Sequence, residues 1–298
     1  MKRRRRTQPA NSADFFARIR RLAIIAIFSD DVLLEKLVLK GGNALDLIHK
    51  VGGRTSMDID LSIDGDDFAD LDNFRSRVFA ALKSKFDSEN LVLFDEKFQP
   101  KPSVRKPGQD PKWGGYEIDF KLIERPLFEE FNGDLGEVRR NAATIWSGQE
   151  RVFHIDISRN EYCTPKQPAY LDDLRIYVYT LPMIAIEKLR AICQQLPDYT
   201  LRKNPARLAR DFYDVHAIVT QSRLDLFSQP MLDLLEHIFA AKDVPVVLLT
   251  KIQSVREFHR PDWPAVVGST PSLNPPDFDF YFDYVRDLAE RLHAARVK

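Results

Sequence analysis

The chain of 298 residues is long enough for a sizeable core and for two domains or subdomains. Its 44% hydrophobic and 30% charged residues are those of a soluble globular protein, and no run of 18 apolar residues occurs, so no membrane-spanning helix is expected. The 44 basic and 44 acidic residues cancel, so the overall field says little about partners.

The charge is unevenly spread. Lys2, Arg3, Arg4, Arg5, Arg6, Arg18, Arg20 and Arg21 face Asp14 alone at the start of the chain. Such an arm is drawn to phosphate backbones by counterion release; the alternative is a solubilising terminus. No apolar segment or small-residue cleavage site follows the basic start, so a secretory signal is not expected. Cys163 and Cys193 lack metal-type spacing and suggest free thiols in a reducing compartment, the cytoplasm.

In chain order, Phe15, Ile19, Leu22 and Ala26 recur at spacings of three and four and predict a helix over 14–28. Leu37–Leu39 reads as a short strand, Gly41-Gly42 as a tight turn, and 44–51 as a helix that Asn43 caps and Gly52-Gly53 ends. A strand is expected over 55–63, followed by an amphipathic helix over 70–86 with Leu71, Phe74, Val78 and Leu82 on one stripe. Further strands are expected over 91–94, 116–123 and 152–157, with a long loop over 100–113. The alternating patterns stop around 161–168. Beyond them Pro182 suits a helix first turn, ahead of a stripe at Ile186, Leu189 and Cys193. Helices are expected at 204–220, 229–241 and 278–295, with the proline-rich 260–276 irregular. The fold class is α+β (mixed α/β): an N-terminal domain over 1–165 built on a small mixed sheet, then a mostly helical domain over 166–298.

The stretch LVLKGGNALDLIHKVGGRTSMDIDLSI, residues 37–63, carries the chemistry. On a strand, Ser56, Asp58 and Asp60 project from one face while Met57, Ile59, Leu61 and Ile63 project from the other. The two aspartate Cα atoms then lie roughly 6.6 Å apart. At that spacing the carboxylates either repel or share divalent cations, and magnesium suits them because it completes its shell with water and substrate phosphates. The alternative is the solvated face of an antiparallel sheet. The preceding Gly41-Gly42 turn, between strand and helix, presents backbone N–H groups to anionic oxygens. It is not a P-loop, because no G-x-x-x-x-G-K-[ST] occurs in the chain.

At these residues the sequence resembles the nucleotidyltransferase superfold shared with DNA polymerase β, in which an h-G-[G/S] turn precedes D-h-[D/E]-h. The elements here are Leu39-Lys40-Gly41-Gly42 and Asp58-Ile59-Asp60-Leu61. KGGNAL at 40–45, RTSMDIDLSI at 54–63, IEKLRA at 186–191 and RDFYDVHAI at 210–218 together resemble the AbiEii/AbiGii (MenT-like) toxin family of nucleotidyltransferases. Read physically, the second pair of blocks puts Lys188 off an apolar stripe and sets Arg207/Asp211 and Arg210/Asp214 at i,i+4 spacing. Such pairs stabilise a helix by ~0.2–0.5 kcal/mol and need no further purpose.

The resemblance implies more. Lys188 and the first aspartate of the R-D-x-x-D block, Asp211, belong to the active site with Asp58 and Asp60. A third carboxylate completes the set, and Asp156 is favoured over Asp119 because an apolar-Asp-apolar strand just before the helical half matches the family's layout. These carboxylates hold two Mg²⁺ ions, with Mn²⁺ as a substitute. Lys40, Gly41, Gly42, Ser56 and Lys188 secure the NTP phosphates. Arg190, Arg202, Lys203, Arg207 and Arg210 form a basic wall for RNA. The implied activity is nucleotide transfer to tRNA acceptor ends by a toxin with a cognate antitoxin. Ser56 is implied as a site where phosphorylation blocks nucleotide entry. The alternatives are a protein hydroxyl as acceptor, giving an AMP-transferring modifier, and a non-catalytic nucleotide- or RNA-binding protein.

Overall fold

Leu37, Val38 and Leu39 are all buried, as expected of a strand with packed layers on both faces. The computed structural model describes residues 12–53, 56, 58–104, 112–144, 150–270 and 274–296. The strands are β1 (Leu37–Leu39), β2 (Ile59–Ile63), β3 (Leu91–Lys101), β4 (Gly115–Glu124), β5 (Phe153–Ser158), β6 (Gln167–Leu171) and β7 (Leu174–Val178). They form one mixed sheet in the order β3-β4-β5-β2-β1-β7-β6, in which β2 runs parallel to β5 and β1 parallel to β7 while the other pairs are antiparallel.

The helices are α1 (Ser12–Phe28), α2 (Asp31–Lys36), α3 (Gly41–Asn43), α4 (Leu71–Ser88), α5 (Arg125–Glu130), α6 (Leu135–Arg140), α7 (Leu181–Cys193), α8 (Ala209–Gln221), α9 (Gln229–Ala240), α10 (Arg256–His259), α11 (Trp263–Ser269) and α12 (Phe278–Arg296). Asp30 and Asp70 accept from backbone N–H groups and so start α2 and α4. α7 packs against α8 and α9, and α12 against α8, where Phe212 stacks on Phe282 at a centroid distance of 5.1 Å. One continuous hydrophobic cluster runs from α1 through the sheet to α12, so the helices are fastened to the sheet by shared core.

Three expectations need correction. The sheet does not end near 165: β6 and β7 extend it, and the passage to helices falls after Val178. Their hairpin turns on Asp172 and Asp173, with φ +49° and +62°, which is the left-handed pair of a type I′ turn without its usual glycine. In addition, α8 begins at Ala209 instead of 204, because Pro205 biases Asn204 away from helical backbone. The residues expected to be irregular contain α11, which accepts Pro264 in its first turn.

Lys2, Arg3, Arg4, Arg5 and Arg6 of the basic arm, and Arg54, Thr55 and Met57 of the motif, lie outside the described residues. Among the described residues no helix is long and apolar enough to cross a membrane. Cys163 and Cys193 are buried free thiols.

Candidate functional site

The site begins at the turn after β1. Gly41 has φ +63°, and a Cβ there would lie 2.6 Å from Asp60 Oδ2. Glycine is required both by the left-handed backbone and by the carboxylate behind it. The Lys40 amide donates to the Asp60 carbonyl at 3.0 Å, which ties the turn to β2.

Only part of the aspartate motif is strand. Asp58 sits in a bend ahead of β2 and is exposed, whereas Ser56 is buried. Asn43 and Arg20 account for that shape. Asn43 does not cap a helix; it lies within the α3 turn, and its Nδ2 donates to the Asp58 carbonyl. Its Oδ1 accepts from Arg20 at 2.9 Å, and the same Arg20 nitrogen donates to the Ser56 carbonyl. Arg20 is therefore not part of an exposed basic arm, being 2% exposed and paired with Asp46 at 3.3 Å. Asn43→Ala leaves a buried donor and the Asp58 carbonyl unpaired. It is expected to cost about 1–3 kcal/mol, read as a lower denaturant midpoint, and to reduce transfer by loosening Asp58.

Asp60 pairs in register with Asp156 on β5, and Asp156 in turn with Glu117 on β4, so three carboxylates share one face across neighbouring strands. Asp119 lies further along β4 and is 2.7 Å from His154 Nδ1. Lys101 Nζ stands 2.6 Å from Asp156 and 3.2 Å from Glu117, so a protein ammonium neutralises that end of the row. Among the described residues Asp60 has no lysine or arginine in ion-pair contact. Burial drives its carboxyl up to about 6, Lys40 and Arg210 draw it back down, and Asp156 and Asp58 push it further up.

The opposite wall comes from α7 and α8. Lys188 Nζ lies 2.7 Å from Asp211 and 2.8 Å from Asp214, with all three side chains nearly buried. Among the described residues the expected arginine pairs do not form: Arg207 precedes α8, and Lys188 holds both aspartates. The start of α8 is held from the far C-terminal region, where His259 Nδ1 accepts from the Leu208 amide at 3.0 Å and Asp262 from the Ala209 amide at 3.2 Å. That anchoring fixes Asp211 in the first turn of α8.

These pieces enclose a cleft of about 150 Å³ lined by Gly41, Gly42, Ser56, Asp58 and Asp60 on the sheet side and by Lys188, Arg210 and Asp211 on the helix side. Arg210 is exposed and, among the described residues, has no carboxylate in ion-pair contact. Lys40 also reaches the cleft, but its ammonium is 2.7 Å from Glu187 and 3.5 Å from Glu161. Burial opposes that charge, yet Glu161 and Glu187 outweigh it and hold Lys40 above the usual lysine range. Arg190, expected on an exposed basic wall, belongs to the same internal network, 3.0 Å from Glu161 and 3.3 Å from Glu187. Lys242 completes it, 3.3 Å from Glu161. Burial pushes Glu161 up, but Arg190, Lys40 and Lys242 hold it down at about 2. Arg207 and Lys203 are exposed, and Arg202 lies in a second pocket beyond the cleft.

The family model for the nucleotidyl transferase AbiEii toxin of type IV toxin–antitoxin systems matches residues 23–284, which takes in every element of this cleft. The chain belongs to the AbiEii nucleotidyltransferase toxin family. It is accordingly a nucleotidyltransferase, with a nucleotide substrate and an antitoxin partner. No curated protein sequence matches it. Among solved structures, an antigenic nucleotidyltransferase-like protein from Paracoccidioides brasiliensis is similar at 13% identity and a TM-score of 0.38, covering 84% of this chain and 93% of its own; a likeness that low carries no weight here.

The AbiEii family implies a divalent metal, and the donor set suits one of the hard cations. Asp58 and Asp60 offer carboxylate oxygens, and the raised Asp60 marks a buried charge short of compensation. Among the described residues no three His, Cys, Asp or Glu side chains are grouped to hold a metal.

Sequence reasoning missed Arg20, Asn43, Lys101, Glu161 and Glu187. A signal existed for Arg20, which shares a spacing of four, three and four with the buried Phe16, Ala23 and Ile27. A lone charge on such a stripe demands an internal partner.

Proposed function

We propose that this nucleotidyltransferase moves nucleotides from NTP to RNA, namely the 3′ acceptor end of tRNA, and that its antitoxin restrains that transfer. The reading is supported above all by one cleft that gathers Gly41, Asp58 and Asp60 from the sheet with Lys188 and Asp211 from two later helices. Asp58 and Asp60 would hold Mg²⁺, which supplies positive charge to the triphosphate and to the acceptor oxygen. Asp156 is the next donor by register for a second ion, and Lys101 is the group that must give way.

The chain's own residues do the rest. Lys188 meets the outer phosphates as a point charge, oriented by Asp211 and Asp214. Arg210 adds a second cation, and Ser56 together with the Gly41-Gly42 turn closes the phosphate side. The acceptor oxygen bonds to the α-phosphorus, the bond to pyrophosphate breaks, and the hydroxyl proton leaves to a cleft carboxylate.

The deciding experiment incubates the protein with each of the four labelled NTPs and total tRNA. The wild-type chain is expected to label RNA with one or more of them, and Asp58→Ala at least a hundred-fold less. Label appearing on protein instead of RNA makes the acceptor a protein hydroxyl. Full activity in Asp58→Ala overturns the site assignment.

A further inference from the structure

A second pocket lies immediately beyond the cleft along α7. Ala191 lines the cleft, and Gln194, three residues later and so on the same helical face, lines this pocket. The remaining wall is Trp113, Tyr199, Leu201, Arg202, Lys203 and Asn204, around a volume of about 140 Å³. From Lys188 to Gln194 the helix rises about 9 Å.

The two neighbouring cavities differ in chemistry. The cleft is lined by Asp58, Asp60, Glu187 and Asp211, whereas among the described residues no carboxylate lines the second pocket. Its Arg202 is half-buried and, among the described residues, has no carboxylate in ion-pair contact; its Nε donates to the Asn204 carbonyl at 3.2 Å. Burial without a counter-charge lowers the guanidinium pKa from its ordinary value. Other arginines with burial have acidic partners: Arg20 with Asp46, Arg190 with Glu161, and Arg159 with Asp67. Lys203 adds an exposed cation beside it.

The walls are fixed in place. Gln195 Oε1 accepts from the Ala206 amide at 2.7 Å, which fastens the loop carrying Arg202 to the end of α7. Trp113 is 37% exposed, and its neighbour Lys112 is held by Asp243 at 2.8 Å and by Lys242, which donates to the Lys112 carbonyl at 3.0 Å. The result is an aromatic plane, a desolvated cation seeking an anion, and amide groups of Gln194 and Asn204 able to meet a base edge.

We propose that this pocket binds a nucleotide of the acceptor strand, with its base stacked on Trp113 and its phosphate on Arg202, while the strand's 3′ end lies in the neighbouring cleft. The assignment rests on the reading of RNA as acceptor. It makes Trp113 and Arg202 strand-holding residues that contribute nothing to triphosphate binding.

The test uses the full chain without NTP and without turnover. A short fluorescently labelled single-stranded RNA is titrated by anisotropy, and each NTP is titrated separately. Trp113→Ala is expected to weaken RNA binding about ten-fold or more, with Trp113→Phe retaining most of it. Arg202→Met is expected to weaken it and to lower the salt slope by about one. NTP affinity stays unchanged in all three. RNA affinity that is unmoved in both Trp113→Ala and Arg202→Met overturns the proposal, as does a loss confined to NTP, which would give the pocket to the triphosphate substrate. The labelling assay on the wild-type chain reads the acceptor independently. Labelled RNA with unmoved affinities sinks only the pocket, whereas labelled protein and no RNA binding sink both.

Discussion

Replacing Lys188 by Met is expected to lower stability by about 3–5 kcal/mol, roughly 10 °C in melting temperature, and to cut transfer by about 10²–10³-fold. The stability loss follows from what remains behind. Asp211 and Asp214, at 2.7 and 2.8 Å from the ammonium, are nearly buried carboxylates that both lose this cation. A buried ion pair adds little net stability, but removing one partner exposes the full desolvation penalty of the other. The structural and chemical roles can therefore be separated. The triple variant Lys188→Met, Asp211→Asn, Asp214→Asn also removes the two carboxylate charges and should recover most of the melting temperature while transfer stays lost. Recovery of both together would make Lys188 a packing cation with no place in the chemistry. Loss of both together would show that the neutral amides cannot fill the space of the ionised triad.

The same contrast between local pattern and tertiary partner explains what could be read in advance. Gly41, Asp58, Asp60, Lys188 and Asp211 were legible because the chemistry fixes their spacing along the chain. Arg190 was misplaced because its sequence context, a charge beside an apolar stripe, is the same for a solvated face as for a residue paired across 29 positions with Glu161. Lys40, which the resemblance gives to the phosphates, lines the cleft and is paired with Glu187, 147 residues away, a partner no local pattern shows. The β6–β7 hairpin escaped because Asp172-Asp173 adopts a turn that local rules reserve for Asn-Gly or Asp-Gly. Its strands are only five residues each, and Pro168 interrupts the first. Asn43 shows the subtler failure. A cap was the local use of its side chain, and the fold uses it instead to hold the Asp58 carbonyl 15 residues on.

Asp60→Asn is expected to abolish transfer, by at least about 10³-fold, and yet to make the metal-free protein more stable above pH 6. The sign follows from the burial that raises the Asp60 carboxyl from 3.8 to about 6. Below about pH 3 the group is protonated in both folded and unfolded chains, so aspartate and asparagine are nearly equivalent. As pH rises from 4 through 6 the unfolded chain releases its proton while the folded one retains it, and this residue's contribution to stability falls. Above 6 the folded protein carries a desolvated charge, and the difference between 3.8 and about 6 corresponds to about 3 kcal/mol as an upper bound. Denaturant midpoints in chelator should therefore nearly coincide at about pH 3 and favour Asp60→Asn by about 1–3 kcal/mol at pH 8. Adding Mg²⁺ at pH 8 should then stabilise the wild-type chain and leave the variant unmoved, because only an ionised Asp60 gains from the cation. A variant that is less stable at pH 8 would mean that Lys40 and Arg210 already satisfy this carboxylate, making it a structural ion-pair partner. If the variant proves more stable at pH 8, Asp60 is a carboxylate kept at a stability cost beside Gly41, whose missing Cβ leaves room for its oxygen, as a metal-binding position requires and a structural one does not.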